Sequence, residues 1–99
     1  MIEQLKKAII SLSNEKGIIV SFSYDFTKIL KKIKEHQLKI RLYKQILKII
    51  EKPSIGKHMR FSRRGEQEVY LDSFRLYYKF YKDEKTLRFV EFSHKDEQS

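Results

Sequence analysis

Three side chains in the last third of the chain can do phosphate chemistry if the fold brings them together: Tyr70, Arg75 and His94. A guanidinium is always charged and bidentate, which suits a phosphate whose negative charge grows in a transition state. An imidazole titrates near neutrality and can give or take a proton. A phenol can stack on a base or orient a phosphate oxygen. Side chains alternate along a strand, so Leu76, Tyr78 and Phe80 share one face of residues 74–81, while Arg75, Tyr77, Lys79 and Tyr81 share the other. A turn at Asp83-Glu84 sets Lys79 opposite Arg88, Tyr77 opposite Val90 and Arg75 opposite Phe92. His94 then lies diagonally beside Arg75, and Glu91 faces away. A second turn at Asp72-Ser73 pairs Leu71 with Phe74 and Tyr70 with Arg75. The expectation is a transverse row, Tyr70–Arg75–His94, on one face of a three-stranded meander. Plainer readings stand beside it. The wet face of a sheet carries polar residues merely because it meets water. Arg75 has the alternative of an ion pair with an acid such as Glu68 or Glu91, and His94 that of capping the last strand.

The elements that would hold this row follow from spacing. Ile2, Leu5, Ile9 and Leu12 recur at helical intervals, so residues 2–15 read as an amphipathic helix closed by Gly17. Ile18 to Phe22 is a β-branched run and reads as a strand. Asp25 can cap a second helix with the stripe Phe26, Ile29, Leu30 and Ile33, and His36-Gln37 reads as a turn. Residues 38–51 form a third helix, with Leu42, Ile46, Ile49 and Ile50 inward and Lys39, Arg41, Lys44 and Lys48 outward; Pro53 stops it. Residues 53–66 read as a loop around a short strand, followed by strands at about 67–71, 74–81 and 86–93. The fold class is therefore α+β: a small antiparallel sheet, made of the first strand and the C-terminal meander, packed by a helical hairpin and extended by an N-terminal helix. The division is an N-terminal helix over residues 1–16 and one domain over 17–99.

Composition narrows the partners. The 99 residues suit one domain, and six tyrosines and seven phenylalanines supply a modest core. There is no cysteine, which excludes disulfides and thiolate chemistry. His36, His58 and His94 form no helical His-x-x-x-His pair, so neither a metal nor another cofactor is expected. No apolar run approaches the roughly 20 residues of a membrane span, and residues 2–12 are too short and lysine-broken for a signal peptide. A cytoplasmic chain is expected. The formal net charge is +9, and Lys57, Arg60, Arg63 and Arg64 cluster without an acid among them. Such a patch favours a polyanion through counterion release and steered encounter, with an acidic protein as the competing partner.

In order and spacing, several segments resemble the RelE/ParE superfamily of type II toxins, and archaeal RelE-like members in particular. They are the short first strand, the helical hairpin, Pro53-Ser54-Ile55-Gly56-Lys57-His58-Met59-Arg60, the stretch from Arg64 to Tyr70, the Phe74-Arg75-Leu76-Tyr77-Tyr78 strand, and Ser93-His94-Lys95-Asp96-Glu97-Gln98. The likeness spans about residues 18–98 and leaves the N-terminal helix outside the usual core. It implies a metal-independent, ribosome-dependent mRNA endoribonuclease that inhibits translation and is held inactive by a RelB-like antitoxin. Cleavage would use the RNA's own 2′-hydroxyl, leaving a cyclic phosphate and a free 5′-hydroxyl. The resemblance implies Arg75, His94, Tyr70 and Lys57 as catalytic residues, and Arg60, Arg63, Arg64 and Tyr77 as RNA-binding ones. Some relatives carry lysines on the second strand, where this chain has Glu68 and Tyr70, so Glu68 competes with His94 as the general base. They also carry a basic or aromatic residue after the last strand, where this chain has Asp96 and Gln98. A ParE-like inhibitor of DNA gyrase, or a catalytically silent RNA- or protein-binding module, is the alternative reading.

Overall fold

The computed structural model describes residues 1–97. Helix α1 (Ile2–Lys16) ends at Gly17, whose φ of 67° is the left-handed conformation that glycine adopts without a Cβ clash. Strand β1 (Ile19–Phe22) leads into α2 (Tyr24–Lys32) and α3 (His36–Glu51). A 3-10 turn at Pro53–Ile55, the two-residue strand β2 (Lys57–His58) and a second 3-10 turn at Phe61–Arg63 precede the meander β3 (Gln67–Leu71), β4 (Phe74–Tyr81) and β5 (Thr86–His94). One five-stranded sheet results, ordered β1-β5-β4-β3-β2. It is antiparallel except where β1 runs parallel to β5 along the outer edge.

Two local expectations are corrected. The cap of α2 is Ser23, whose Oγ accepts the Phe26 N–H at 3.0 Å; Asp25 sits in the first turn instead. His36-Gln37 opens α3, and the chain turns just before it, at residues 33–35. A hydroxyl one bond from Cβ reaches the orphan amides of a first turn at least as well as a carboxylate does.

The core lies between the helices and one sheet face. Phe26 of α2 and Leu42, Ile46, Ile49 and Ile50 of α3 pack with Leu76, Tyr78, Leu87, Phe89 and Phe92, all of them buried. Phe26 and Phe89 meet with ring centroids 5.8 Å apart. Helix α1 packs on α3, adds buried Ile9 to the same core, and is tied to it by Lys16–Glu51 at 3.6 Å.

The decisive irregularity is in β5. Tyr77 pairs with Glu91 but Tyr78 pairs with Phe89, so Val90 is an extra residue, a β-bulge. Ser23 holds it. Its backbone N–H donates to the Phe89 carbonyl at 2.9 Å, and its hydroxyl donates to the Val90 carbonyl at 2.6 Å. The bulge lets Leu87, Phe89 and Phe92 all face the helices, although 89 and 92 are three residues apart. It also reverses the face of everything after it. Arg75 therefore pairs with Ser93 and Leu76 with Phe92, one residue out of the regular register that alternation predicts.

A buried polar knot fixes the segment before β2. The Tyr78 hydroxyl donates to the Pro53 carbonyl at 2.6 Å and accepts the Gly56 N–H at 2.9 Å. Gln67 Nε2 reaches the Pro53 and Gly56 carbonyls at 3.0 and 3.1 Å. Gly56 is required by this closeness, since a Cβ there would stand 2.6 Å from the Tyr78 hydroxyl. The basic segment from Lys57 onward is thus anchored to the sheet.

Removing the Ser23 hydroxyl deletes a helix cap and leaves the bulge carbonyl without its donor. Ser23→Ala should cost about 1–2 kcal/mol in equilibrium unfolding. A change near zero would mean that the bulge stands without it.

Candidate functional site

The sheet face opposite the helices is organised in transverse rows. Lys57, Glu68, Tyr77 and Glu91 form one; Tyr70, Arg75 and Ser93 form the next; Lys79, Arg88 and Ser21 form another. In that last row Arg88 Nη1 donates to Ser21 Oγ at 2.7 Å.

Arg75 is half-buried and stacked, its guanidinium carbon 3.9 Å from the centre of the Tyr70 ring. Nη1 donates to the backbone carbonyls of Phe74 at 3.1 Å and Asp72 at 3.3 Å. These acceptors orient the group without cancelling its charge, and among the described residues no carboxylate forms an ion pair with it. The turn that supplies the Asp72 carbonyl is held from outside. Arg41 of α3 binds the Asp72 carboxylate, which keeps that carboxyl below its usual range, and Asp72 sits at a φ of 54°. Tyr70, whose ring covers one face of the guanidinium, is itself 59% exposed.

Arg63 is in the opposite condition. It reaches back from the β2–β3 loop, lies 3.8 Å over the Tyr77 ring, and bonds Glu66 at 2.7 Å and Glu91 at 2.6 Å. Two carboxylates thus compensate its charge, and it clamps the loop to the sheet. Burial raises the Glu91 carboxyl, but hydrogen bonds from Arg63 and Ser93 together with the Arg63 charge outweigh it, and the group ends below its usual range. Tyr77, only 2% exposed, hydrogen-bonds Glu68. Burial first, and then that bond and the Glu68 charge, push the phenol up to about 12. On sequence alone both residues read as RNA contacts. Tyr77 lies beneath Arg63 and has no free ring face to offer, and Arg63 is committed to acids, so these two serve the architecture of the site.

His94 does not join Arg75. It pairs with Phe74, and its ring meets Phe74 edge-on at 5.2 Å. Its Nδ1 accepts the Asp96 N–H at 3.2 Å. The imidazole lines a cleft of about 660 Å³ on the helix side, with Lys28, Lys32, Ile33 and Phe92. The row expected as Tyr70–Arg75–His94 is in fact Tyr70–Arg75–Ser93, because the Val90 bulge turns His94 to the opposite face. The same shift brings Glu91, expected to face away, onto Arg75's face. Gln98 lies outside the described residues.

Of the remaining basic residues, Lys57, Arg60 and Arg64 are exposed, and none has an acidic partner among the described residues. Glu68 and Glu91 are both diagonal to Arg75, which makes them its nearest carboxylates on the sheet. A signal for this arrangement was present in the sequence. Phe89 and Phe92 cannot both face a core on a regular strand, and a bulge between them reconciles the two. No group of three metal-ligating side chains occurs among the described residues, and no helix there is long and apolar enough to cross a membrane.

No protein-family model matches the chain, and no curated protein matches it. Solved structures do. A chain of the RelBE2 toxin–antitoxin complex of Mycobacterium tuberculosis superposes with a TM-score of 0.69 at 18% identity, covering 78% of this chain and 96% of that one. A chain of the intact E. coli RelBE toxin–antitoxin complex gives 0.67 at 16% identity, covering 78% and 95%. The isolated E. coli RelE toxin gives 0.66 at 15%, covering 78% and 83%. At these identities the likeness is one of fold, and the fold is that of the RelE toxins.

The Tyr77 phenol yields a signed pH effect. Its pKa rises on folding from 10.0 to about 12, so its contribution to stability is complete below pH 10 and is lost as the pH climbs through about 12. Denaturant unfolding across that window should show Tyr77→Phe losing less stability per pH unit than the wild type. Parallel slopes would contradict the burial and the Glu68 bond.

Proposed function

We propose that this chain is the toxin of a type II toxin–antitoxin system and acts as a metal-independent, ribosome-dependent mRNA endoribonuclease, held in check by a RelB-like antitoxin. On this reading residues 17–99 are the toxin domain, residues 1–16 are an added helix, and the site of action is the cytoplasm, where translated mRNA is. The observation that carries the reading is Arg75, an oriented guanidinium without a carboxylate partner among the described residues, on the open face of a RelE-type fold. Exposed Lys57, one row from Arg75, and exposed Arg60 and Arg64 in the loop that follows Lys57 support a phosphate-bearing ligand.

The chemistry requires a proton acceptor for the 2′-hydroxyl, positive charge for the pentacoordinate phosphate, and a proton donor for the leaving oxygen. Arg75 is the charge, with Lys57 as a second cation one row away. Glu68 is the favoured acceptor: it is diagonal to Arg75, opposite Lys57, and oriented by Tyr77. As it takes the proton, the 2′-oxygen attacks phosphorus and the bond to the 5′-oxygen breaks. The exposed Tyr70 hydroxyl, on the ring stacked against Arg75, gives that oxygen its proton. His94, facing the other way, has no part in this scheme.

A specific observation favours a second reading. Without an imidazole beside Arg75, the face also suits a ParE-like binder of DNA gyrase that cleaves nothing.

The test is cleavage of translated mRNA by the purified protein on ribosomes. Arg75→Ala should lower the rate by roughly 10²-fold or more, the loss typical of a charge-stabilising donor. Glu68→Gln should cost about as much, while His94→Ala stays near the wild type. Undiminished cleavage by the Arg75→Ala protein would refute the assignment. Intact mRNA together with relaxation of supercoiled plasmid by gyrase blockade would replace it with the second reading.

A further inference from the structure

Phe61 stands at the tip of the β2–β3 loop with 89% of its surface exposed and a φ of 58°. Both facts are costly. A bulky apolar side chain in water gains nothing from the fold, and an L residue with a large Cβ substituent enters the left-handed region only under constraint. The constraint is visible. Within the loop, the Arg64 N–H donates to the Phe61 carbonyl at 3.0 Å, Arg63 N–H to Arg60 at 3.3 Å, Glu66 N–H to Arg63 at 2.9 Å and Met59 N–H to Glu66 at 3.0 Å. The Arg63 side chain then pins this frame to Glu91 and over Tyr77. The fold therefore spends a rigid support on presenting one aromatic ring to solvent.

The neighbours of that ring indicate what meets it. Arg60 and Arg64 flank it in the chain, and Lys57 is on the adjoining strand; all three are exposed and without acidic partners among the described residues. A protein partner would be met by a contiguous apolar patch, whereas the exposed residues next to this ring in the loop are Ser62 and the cations Arg60 and Arg64. Single-stranded nucleic acid has the matching pattern, a flat π-face beside phosphates. The geometry points to Phe61 as a base-stacking residue: it takes an unpaired RNA base while Arg60, Arg64 and Lys57 hold the adjoining phosphates. The Arg63–Tyr77 stack joins this tip to the strand that carries Arg75, so the stacked base belongs to the same RNA segment as the phosphate at Arg75. Such a contact would set which nucleotide flanks that phosphate. It deepens the RNA reading above and rests on it.

The chain has no tryptophan, so Phe61→Trp in the full-length protein is a unique reporter at the site. Titration with an oligoadenylate of about ten nucleotides should quench its emission, while an abasic ribose-phosphate polymer of equal charge should leave it unchanged. Phe61→Gly should melt at a higher temperature than the wild type, because glycine relieves the left-handed strain, yet bind the same RNA roughly ten-fold more weakly or worse. Full affinity in the glycine variant, equal quenching by the abasic polymer, a response to polyglutamate in place of RNA, or no RNA binding by the wild type would each overturn the assignment. Quenching and glycine-sensitive affinity without cleavage on ribosomes would remove the nuclease and leave Phe61 as an RNA contact. Cleavage that is indifferent to Phe61→Gly would do the reverse.

Discussion

Two hydrogen bonds from Ser23 to the carbonyls of Phe89 and Val90 hold one surplus residue in β5, and the layout of the open face follows from that residue. Each is an ordinary bond, with a net worth of about 1 kcal/mol. Their leverage comes from parity, since a one-residue slip sends every later side chain to the other face. With the bulge, Phe92 joins Phe89 in the core, Glu91 and Ser93 come beside Tyr77 and Arg75, and His94 leaves them. Ser23 also caps α2, so the element that packs against β5 and the irregularity within β5 are held by one side chain.

Two arginines on that face show how environment divides the labour of identical groups. Arg63 is balanced by Glu66 and Glu91 and laid over Tyr77, which makes it a fastening between loop and sheet. Arg75 is oriented by neutral carbonyls and a phenol ring, so its charge remains available to an anion. The Arg41–Asp72 pair is exposed and adds little to stability, the usual case for surface ion pairs. Its effect is positional, because it braces the turn whose carbonyl orients Arg75.

Much of this was legible in the residues. The helical spacing of Ile2, Leu5, Ile9 and Leu12, the glycine at 17, the strands at 67–71 and 74–81, and the pairing of Tyr70 with Arg75 and Lys79 with Arg88 all follow from periodicity and turn chemistry. The regular register holds through the first half of β5 and breaks at Val90. Counting assumes one residue opposite one, whereas packing of Phe89 and Phe92 on a single core required otherwise. The fates of Arg63 and Tyr77 were hidden for another reason. Nothing local distinguishes a loop arginine that folds back onto two acids from Arg60 or Arg64, which do not. The parallel edge pairing of β1 with β5 is likewise a long-range outcome, without a turn to announce it.

The central claim is that the Val90 bulge gives Arg75 to the open face and His94 to the helix side. Interproton contacts in solution test it most directly. The account predicts contacts between the His94 and Phe74 rings, cross-strand contacts of Tyr77 with Glu91 and of Tyr78 with Phe89, and none from the imidazole to Tyr70 or Arg75. Contacts from His94 to Arg75 and Tyr70, with Tyr77 opposite Val90, would contradict it.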